Sequence, residues 1–202
     1  MVAPAEILDA QLGTLLREFE RIRGCEIEVI PTSVGGRSVD ATAPADMAIA
    51  WRPSRDSAAL STRLIDVERA TYASPAYIED RGLPSTPAEV KTHSCLSCAN
   101  DDQFATWRYS KGAKLIRVRV RTTSPFADTA ALRGATLAGA GIARLPKFLA
   151  DQFIRCGRLV EILPEYTTST CPLYAISSAE GNDPLMVAAL RLFLEERLNL
   201  AS

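Results

Sequence analysis

The 202-residue sequence predicts an α/β fold, with helices covering a sheet or sheets. Short runs with a two-residue apolar period alternate along the chain with runs of helical period. A repeated helix-start idiom, a capping side chain followed by proline, separates them at Ser74-Pro75, Thr86-Pro87, Ser124-Pro125 and Asp183-Pro184. No internal repeat or low-complexity linker is visible, and the length allows one sizeable domain or two small lobes, either of which can bury a core.

Ile7, Leu8, Leu12, Leu15, Leu16, Phe19 and Ile22 recur at three- and four-residue steps and predict one helix, with Gly24 as its stop. "CEIEVIP" alternates Cys25, Ile27 and Val29 with Glu26 and Glu28, the pattern of a strand with one buried face. A turn follows at Gly35-Gly36. "ADMAIAW" and "ERATYAS" are apolar runs of strand length, and "KLIRVRVR" alternates Val118 and Val120 with Arg117, Arg119 and Arg121, a half-exposed strand. Thr86 to Glu89 has capping-box spacing. The final helix starts near Pro184 and is apolar on more than one side until Glu195, so it should dock.

Bulk properties narrow the function. Lys+Arg number 23 and Asp+Glu 24, a formal net charge of -1, which leaves no overall cationic excess to neutralise phosphates. The N-terminal stretch becomes charged within a few residues and has neither a signal-peptide core nor a spanning length, so the expectation is a soluble, cytoplasmic protein. Five cysteines, at 25, 95, 98, 156 and 171, do not make a secreted disulfide framework.

"HSCLSC", His93 to Cys98, holds the only histidine and a C-x-x-C spacing that suits zinc or a redox pair. In a strand the odd separation of Cys95 and Cys98 sends the two thiols to opposite faces, and no further ligands stand nearby. The strand role is therefore favoured, with redox sensing and metal binding as the alternatives. Acid–base chemistry by histidine has only His93 to use, and no serine sits in a G-x-S-x-G elbow. Asp101-Asp102 and Glu195-Glu196 read as solvated surface. Ala138 to Gly141, "AGAG", lacks the phosphate-loop pattern and reads as a helix end. Trp107, Arg108 and Tyr109 allow base stacking, but an aromatic pair in a short strand reads as packing. No catalytic residue, metal site or cofactor is expected.

"YASPAYIEDRGLPSTPAEVKTHSCL", "DTAALRGATLAGAGIARLPKFLADQFIRCGRLVEILPEY" and "CPLYAI" resemble the effector-binding domain of LysR-type transcriptional regulators. The most specific part runs from Ala131 to Pro164: helix, glycine, short strand, Leu-Pro, helix, then "GRLVEILP". The opening "VAPAEILDAQLGTLLREFERIRGCEIEVIP" is similar to the family's first sensor helix and second strand, so the resemblance covers nearly the whole chain. His93, Cys95 and Leu96 match the family's His-x-Cys-Leu at the start of a second-lobe strand.

The resemblance implies a two-lobed fold of the type-2 periplasmic-binding-protein kind, with a ligand cleft between lobes. Lobe one is expected at residues 1 to 73 plus 172 to 202, and lobe two at 74 to 171. It implies a small-molecule effector, anionic or polar, held where two helix N-termini meet, near Ala3, Pro4 and Ala5 and near Thr123 and Ser124, with Arg52 as a charge partner. It also implies a homodimer or higher homo-oligomer, antiparallel, with lobe one against lobe two. Two departures stand out: the family's winged helix-turn-helix and linker helix are absent from this chain, so DNA is a partner only through a domain elsewhere, and the first sensor strand is cut down to "MVAP". The competing functions are a free solute-binding protein of a transporter, opposed by the missing signal peptide, and a small enzyme on the same scaffold, which would need a convergent base and nucleophile.

Overall fold

The computed structural model describes residues 1–8, 12–32, 45–54, 56–98, 104–126, 128–178 and 183–200. The chain opens with β1 (Val2–Pro4), α1 (Ala5–Ile7), α2 (Gly13–Arg23), β2 (Ile30–Thr32), β3 (Met47–Ala50), β4 (Ala59–Val67), β5 (Arg69–Ala73) and α3 (Pro75–Arg81). It continues with β6 (Cys95–Cys98), β7 (Phe104–Lys111), β8 (Lys114–Phe126), α4 (Thr129–Leu137), β9 (Ile142–Pro146) and α5 (Lys147–Arg155). β10 (Val160–Ile162), β11 (Thr167–Thr168), β12 (Cys171–Ser178) and α6 (Pro184–Leu200) complete it. Two units result, Met1–Val67 with Pro172–Ser202, and Glu68–Cys171.

The first unit is built on a sheet in the order β2-β1-β3-β12-β4. β1 runs parallel to β2 and β3, which requires a helical crossover, and α2 supplies it between β1 and β2. β3 is buried at all four positions, as a central strand covered on both faces must be. Leu190, Leu194 and Leu198 repeat at four-residue steps and are buried, so α6 docks as expected. Phe193 meets Phe19 of α2 with ring centroids 5.3 Å apart, and Arg197 reaches Glu18 at 2.6 Å. The other side of α6 leaves Leu185 and Leu192 exposed.

Three expectations for this unit need correction. The first helix appears among the described residues as α1 and α2, with residues 9–11 outside the description; Gly24 does end α2, in the left-handed conformation at φ 63°. The strand expected from Cys25 begins only at Ile30. Residues 25–29 keep the alternation of half-buried and exposed side chains, but their backbone is tied elsewhere: Ile27 N–H donates to the Glu20 carboxylate at 2.8 Å, and the N-terminal ammonium to Glu28 O at 2.6 Å. Finally, β5, placed with lobe one by the sequence, pairs antiparallel with β9 and β10 and lies in the second unit's sheet. The Gly35-Gly36 turn lies outside the described residues.

The second unit's sheet has the order β10-β5-β9-β6-β8-β7-β11. Its strands send successive side chains into two apolar clusters. Ala73, Cys95, Trp107, Tyr109, Val118, Val120 and Ile142 gather on one, while Tyr72, Leu96, Ala143, Leu145 and residues of α4 and α5 gather on the other. Trp107 and Tyr109 are thus core, as expected, and Tyr109 Oη and Thr71 Oγ1 lie 3.0 Å apart in a buried hydrogen bond. Val118 and Val120 are buried while Arg117, Arg119 and Arg121 are exposed.

The caps follow the idiom at two of its four sites. Ser74 Oγ accepts from Tyr77 N–H at 3.3 Å to open α3, and Asp183 Oδ1 accepts from Met186 N–H at 3.0 Å to open α6. Thr86 and Glu89 form a shifted box, in which the Glu89 carboxylate accepts from Ser85 N–H and from the Ser85 and Thr86 hydroxyls, ahead of a 3-10 turn at Glu89–Thr92. Ser124-Pro125 opens no helix. Both residues lie within β8, where Pro125 stands in register with Ser97 just past an irregularity between Cys95 and Ser97. A proline without an N–H fits such a break in the ladder. The cap of α4 is Asp128, whose carboxylate accepts from Ala131 N–H at 2.8 Å.

"AGAG" ends α4, with Gly139 at φ 81°. Gly141 has a tighter reason: a Cβ there would lie 2.3 Å from Ser94 O, because Ile142 N–H bonds that same carbonyl at 2.8 Å where β9 joins β6. Gly141→Ala should lower unfolding free energy by about 1–3 kcal/mol through overpacking. Gly134→Ala, on α4 with nothing within 4 Å of its Cβ, should raise it by about 0.5–1 kcal/mol. A raised urea midpoint for Gly141→Ala would contradict the first assignment, and a lowered one for Gly134→Ala the second.

Burial pushes the Cys95 thiol up to about 12, and burial likewise pushes the Tyr109 phenol up to about 12 against a smaller lowering by Thr71. In the unfolded chain these groups ionise at ordinary values, so their contribution to stability is complete below about pH 8.5 and is lost as pH rises from there toward 12. A Cys95→Ala variant should show a shallower loss of stability with pH across the lower part of that window than the parent, measured by urea titration at each pH.

Candidate functional site

The candidate residues are positioned by parallel strands. In the first unit β1 and β3 are parallel, with Val2 opposite Ala48, so Pro4 and Ala50 leave the same, C-terminal edge of the pair. Ala3 is wholly buried, Pro4 (φ -58°, ψ 131°) precedes α1, and Ala5 is half-buried. Arg52, two residues beyond β3, is exposed. In the second unit β6 is parallel to both β8 and β9. Thr123 and Ser124 lie within β8, two to three residues short of its end, between Thr122, which stands opposite Cys95, and Pro125, opposite Ser97. In α/β sheets C-terminal strand edges are where ligands are held.

The helix termini expected beside these residues are modest. α1 is three residues long, and the N-terminus of α4 already has the Asp128 carboxylate bonded to one of its donors. The donor supply is therefore smaller, and less selective for anions, than two full helix ends would provide.

Sequence reasoning missed Trp51. It follows β3 directly at the same edge, and its indole Nε1 is buried with no hydrogen-bond partner among the described residues. A tryptophan ending an apolar run gives no sequence signal for this, since whether a buried donor meets an acceptor is a matter of its three-dimensional surroundings. A depression of about 440 Å³ also lies in the first unit, lined by Ala5, Leu16, Arg17, Glu20, Ile27 and Val29 among others. Of the candidate residues only Ala5 borders it.

"HSCLSC" forms β6 from Cys95, and its two thiols part as the odd spacing requires. Cys95 packs in the cluster with Trp107 and Val118, Cys98 against the cluster of Leu96 and Leu145. Cys95 Sγ–H donates to Val90 O at 3.4 Å. His93 Nδ1 lies 3.2 Å from Tyr77 Oη, which accepts from Ser94 N–H at 3.0 Å, so the histidine braces the entry to β6 against α3. With its ionisation pushed so high, Cys95 is a neutral thiol at physiological pH and a poor metal ligand or nucleophile.

Among the described residues no three His, Cys, Asp or Glu side chains converge as a metal site. Glu195 pairs with Arg191 at 3.3 Å on α6, and Asp101-Asp102 lie outside the described residues. No described helix is long and apolar enough to cross a membrane.

Comparison with known proteins now fixes the kinship. The chain is 29% identical over 147 residues to an uncharacterized HTH-type transcriptional regulator of Haemophilus influenzae, covering 73% of this chain and 51% of that protein. It is 29% identical over 152 residues to the HTH-type transcriptional regulator CrgA of Neisseria meningitidis, covering 74% and 49%. The chain thus spans about half the length of the curated relatives it matches. The solved regulatory domain of CrgA, a LysR-type transcriptional regulator, superposes with a TM-score of 0.75 at 24% identity, covering 98% of this chain and 96% of that one. That likeness shows the fold, the two-lobed, periplasmic-binding-protein-like α/β fold of LysR regulatory domains. Since the model of the LysR substrate binding domain matches residues 1–199, the chain belongs to that family.

Proposed function

We propose that this chain is the ligand-sensing domain of a LysR-type bacterial transcriptional regulator, which binds a small-molecule effector and passes the signal to a DNA-binding domain outside this chain. The observation that carries the reading is the extent of the family match, residues 1–199. Relatives that are HTH-type transcriptional regulators support it. In this role the protein works in the cytoplasm as a homodimer or higher homo-oligomer.

Ala3, Pro4, Ala5 and Arg52 of the first unit, with the Trp51 indole N–H as a further donor, and Thr123 and Ser124 of the second are each our candidates for contact with the effector. Support comes from the position of Pro4, Ala5, Trp51 and Arg52 at a C-terminal edge of parallel strands, and of Thr123 and Ser124 toward the end of a strand parallel to β6. With Asp128 at the head of α4 and only a short α1, the ligand is a polar molecule whose negative charge, where it has one, answers to Arg52. Signalling requires that the ligand bind two arrangements of the protein with different affinity, because equal affinity shifts nothing.

A thermal-shift panel of small metabolites identifies the effector. Ser124→Ala should then weaken its binding by about 1.5–3 kcal/mol, the worth of one hydrogen bond to a charged group, with no loss of helix-cap stability. Asp128→Ala should cost about 1 kcal/mol of stability through its cap. Ser110→Ala, on β7, should leave binding unchanged. Calorimetry showing parent-like affinity for Ser124→Ala, with the ligand located elsewhere by crystallography, would refute the assignment. The chain by itself should give no sequence-specific footprint on any operator at physiological salt, and one protected site would overturn that expectation.

A further inference from the structure

Arg69, the first residue of β5, is a half-buried cation that meets no carboxylate among the described residues. Glu68 beside it is engaged with Lys147 at 3.0 Å. The Arg69 guanidinium donates from Nη2 to Arg144 O at 2.7 Å, and its Nε is buried with no hydrogen-bond partner among the described residues. The polar groups around it are taken up with one another. Thr71 Oγ1 and Tyr109 Oη lie 3.0 Å apart, and Ser169 accepts from Arg144 Nη2 through Oγ at 2.7 Å and through O at 3.2 Å. The Thr168 hydroxyl donates to the carbonyl of Arg69 itself. A buried donor left without an acceptor is costly, so an orphaned N–H marks a place where an acceptor from outside the chain belongs. Water would satisfy the donor but leave the charge unanswered.

Strand geometry puts this group at a ligand-holding position. Ala70 and Tyr72 of β5 and Ala143 and Leu145 of β9 enter one apolar cluster, so Arg69, Thr71 and Arg144 belong to the opposite face of the sheet. Arg69 stands opposite Pro146, the last residue of β9, and β9 runs parallel to β6. Arg69 therefore lies at the C-terminal edge of that parallel pair, the usual place for a ligand in an α/β sheet. The bond to Arg144 O also orients the guanidinium before a ligand arrives, which lowers the ordering cost of binding.

We infer that Arg69 binds a carboxylate group of the effector, through its orphaned Nε–H and a further guanidinium hydrogen, and thereby selects small carboxylates over neutral molecules. This role rests on the proposed effector-binding function and names the class of molecule it takes. The planar guanidinium suits a carboxylate because two parallel N–H donors match its two oxygens. Arg69 is then the second unit's charge partner for the effector, as Arg52 is the candidate of the first.

The test is thermal shift followed by calorimetry on the 202-residue protein, at neutral pH and fixed ionic strength, with carboxylates and their amides as probes: acetate and acetamide, succinate and succinamide, benzoate and benzamide. At least one carboxylate should stabilise the parent where its amide, alike in shape but uncharged, does not. For that carboxylate Arg69→Gln should weaken binding roughly ten- to hundredfold, the loss of a charge-assisted pair of hydrogen bonds. Arg69→Lys, which keeps the charge without the fork, should recover only part of it. Arg81→Gln, an exposed position on α3 paired with Asp80, should bind as the parent does. If Arg69→Gln does not fold, Arg69→Lys carries the comparison, and parent-like carboxylate affinity in it overturns the inference. A role confined to bracing β5 would lower the urea midpoint of Arg69→Gln and leave the preference for carboxylate over amide as in the parent, which also overturns it. So does a parent that answers no carboxylate, among these probes or in the metabolite panel. The sensor reading is judged separately: a neutral metabolite that binds parent and Arg69→Gln alike sinks the role of Arg69 and upholds the sensor, whereas a parent that answers no metabolite at all sinks the sensor.

Discussion

The second unit depends on one constraint: a strand sends successive side chains to opposite faces, and here both faces of most strands are covered. Ala73 and Tyr72, Cys95 and Leu96, Ile142 and Ala143 each divide between the two apolar clusters. At ~25 cal/mol per Å² of apolar surface this double coverage is the main stabilising contribution available to the sheet. A one-residue slip in any of these strands would exchange the two sets. The constraint also explains what is missing from the second cluster. Among the described side chains β7 contributes none to it and β8 only the partly buried Phe126, and at the outward positions stand Arg108, Arg117, Arg119 and Arg121. These exposed arginines are the remainder of the same alternation that buries Trp107 and Tyr109.

Polar groups inside this unit are tied where the chain enters and leaves it. The chain passes between units at Val67/Glu68 and at Cys171/Pro172. Just inside the first crossing, Arg69 donates to Arg144 O at 2.7 Å. Just before the second, the Arg144 guanidinium donates to Ser169 Oγ at 2.7 Å and Ser169 O at 3.2 Å, and the Thr168 hydroxyl donates to Arg69 O. Arg144 is only 7% exposed, and its guanidinium lies 5.8 Å from the Trp107 ring centroid. A buried cation is tolerated when its hydrogens find acceptors and an aromatic face, and these contacts fasten both connecting segments to β9.

The candidate ligand groups follow from strand direction rather than from helix dipoles. Parallel pairing brings Pro4 and Ala50 to one edge, while Thr123 and Ser124 lie beside β6, two to three residues short of the end of β8. Ser124 enters on the strength of that position even though the cap it was expected to form belongs to Asp128. Trp51 carries no such mark in the sequence, because a buried indole without an acceptor is a property of its surroundings.

The sequence by itself determined what depends on near neighbours along the chain. The period-two runs, the caps at Ser74 and Asp183, the stop at Gly24, the docking face of α6 and the parting of Cys95 and Cys98 all rest on contacts within a few residues or on strand geometry alone. The family motif from Ala131 to Pro164 added the fold class as a whole. Tertiary structure decided the rest, where a partner distant in sequence competes. Residues 25–29 gave up their ladder because Glu20 and Met1 took their backbone groups. β5 joined the second unit because β9, some seventy residues on, supplied its hydrogen bonds. Ser124-Pro125 stayed in β8 because Ser97 stood beside it. Each outcome was set by hydrogen-bond groups that must find partners somewhere, and which partner was within reach is a fact of three dimensions that no local pattern encodes.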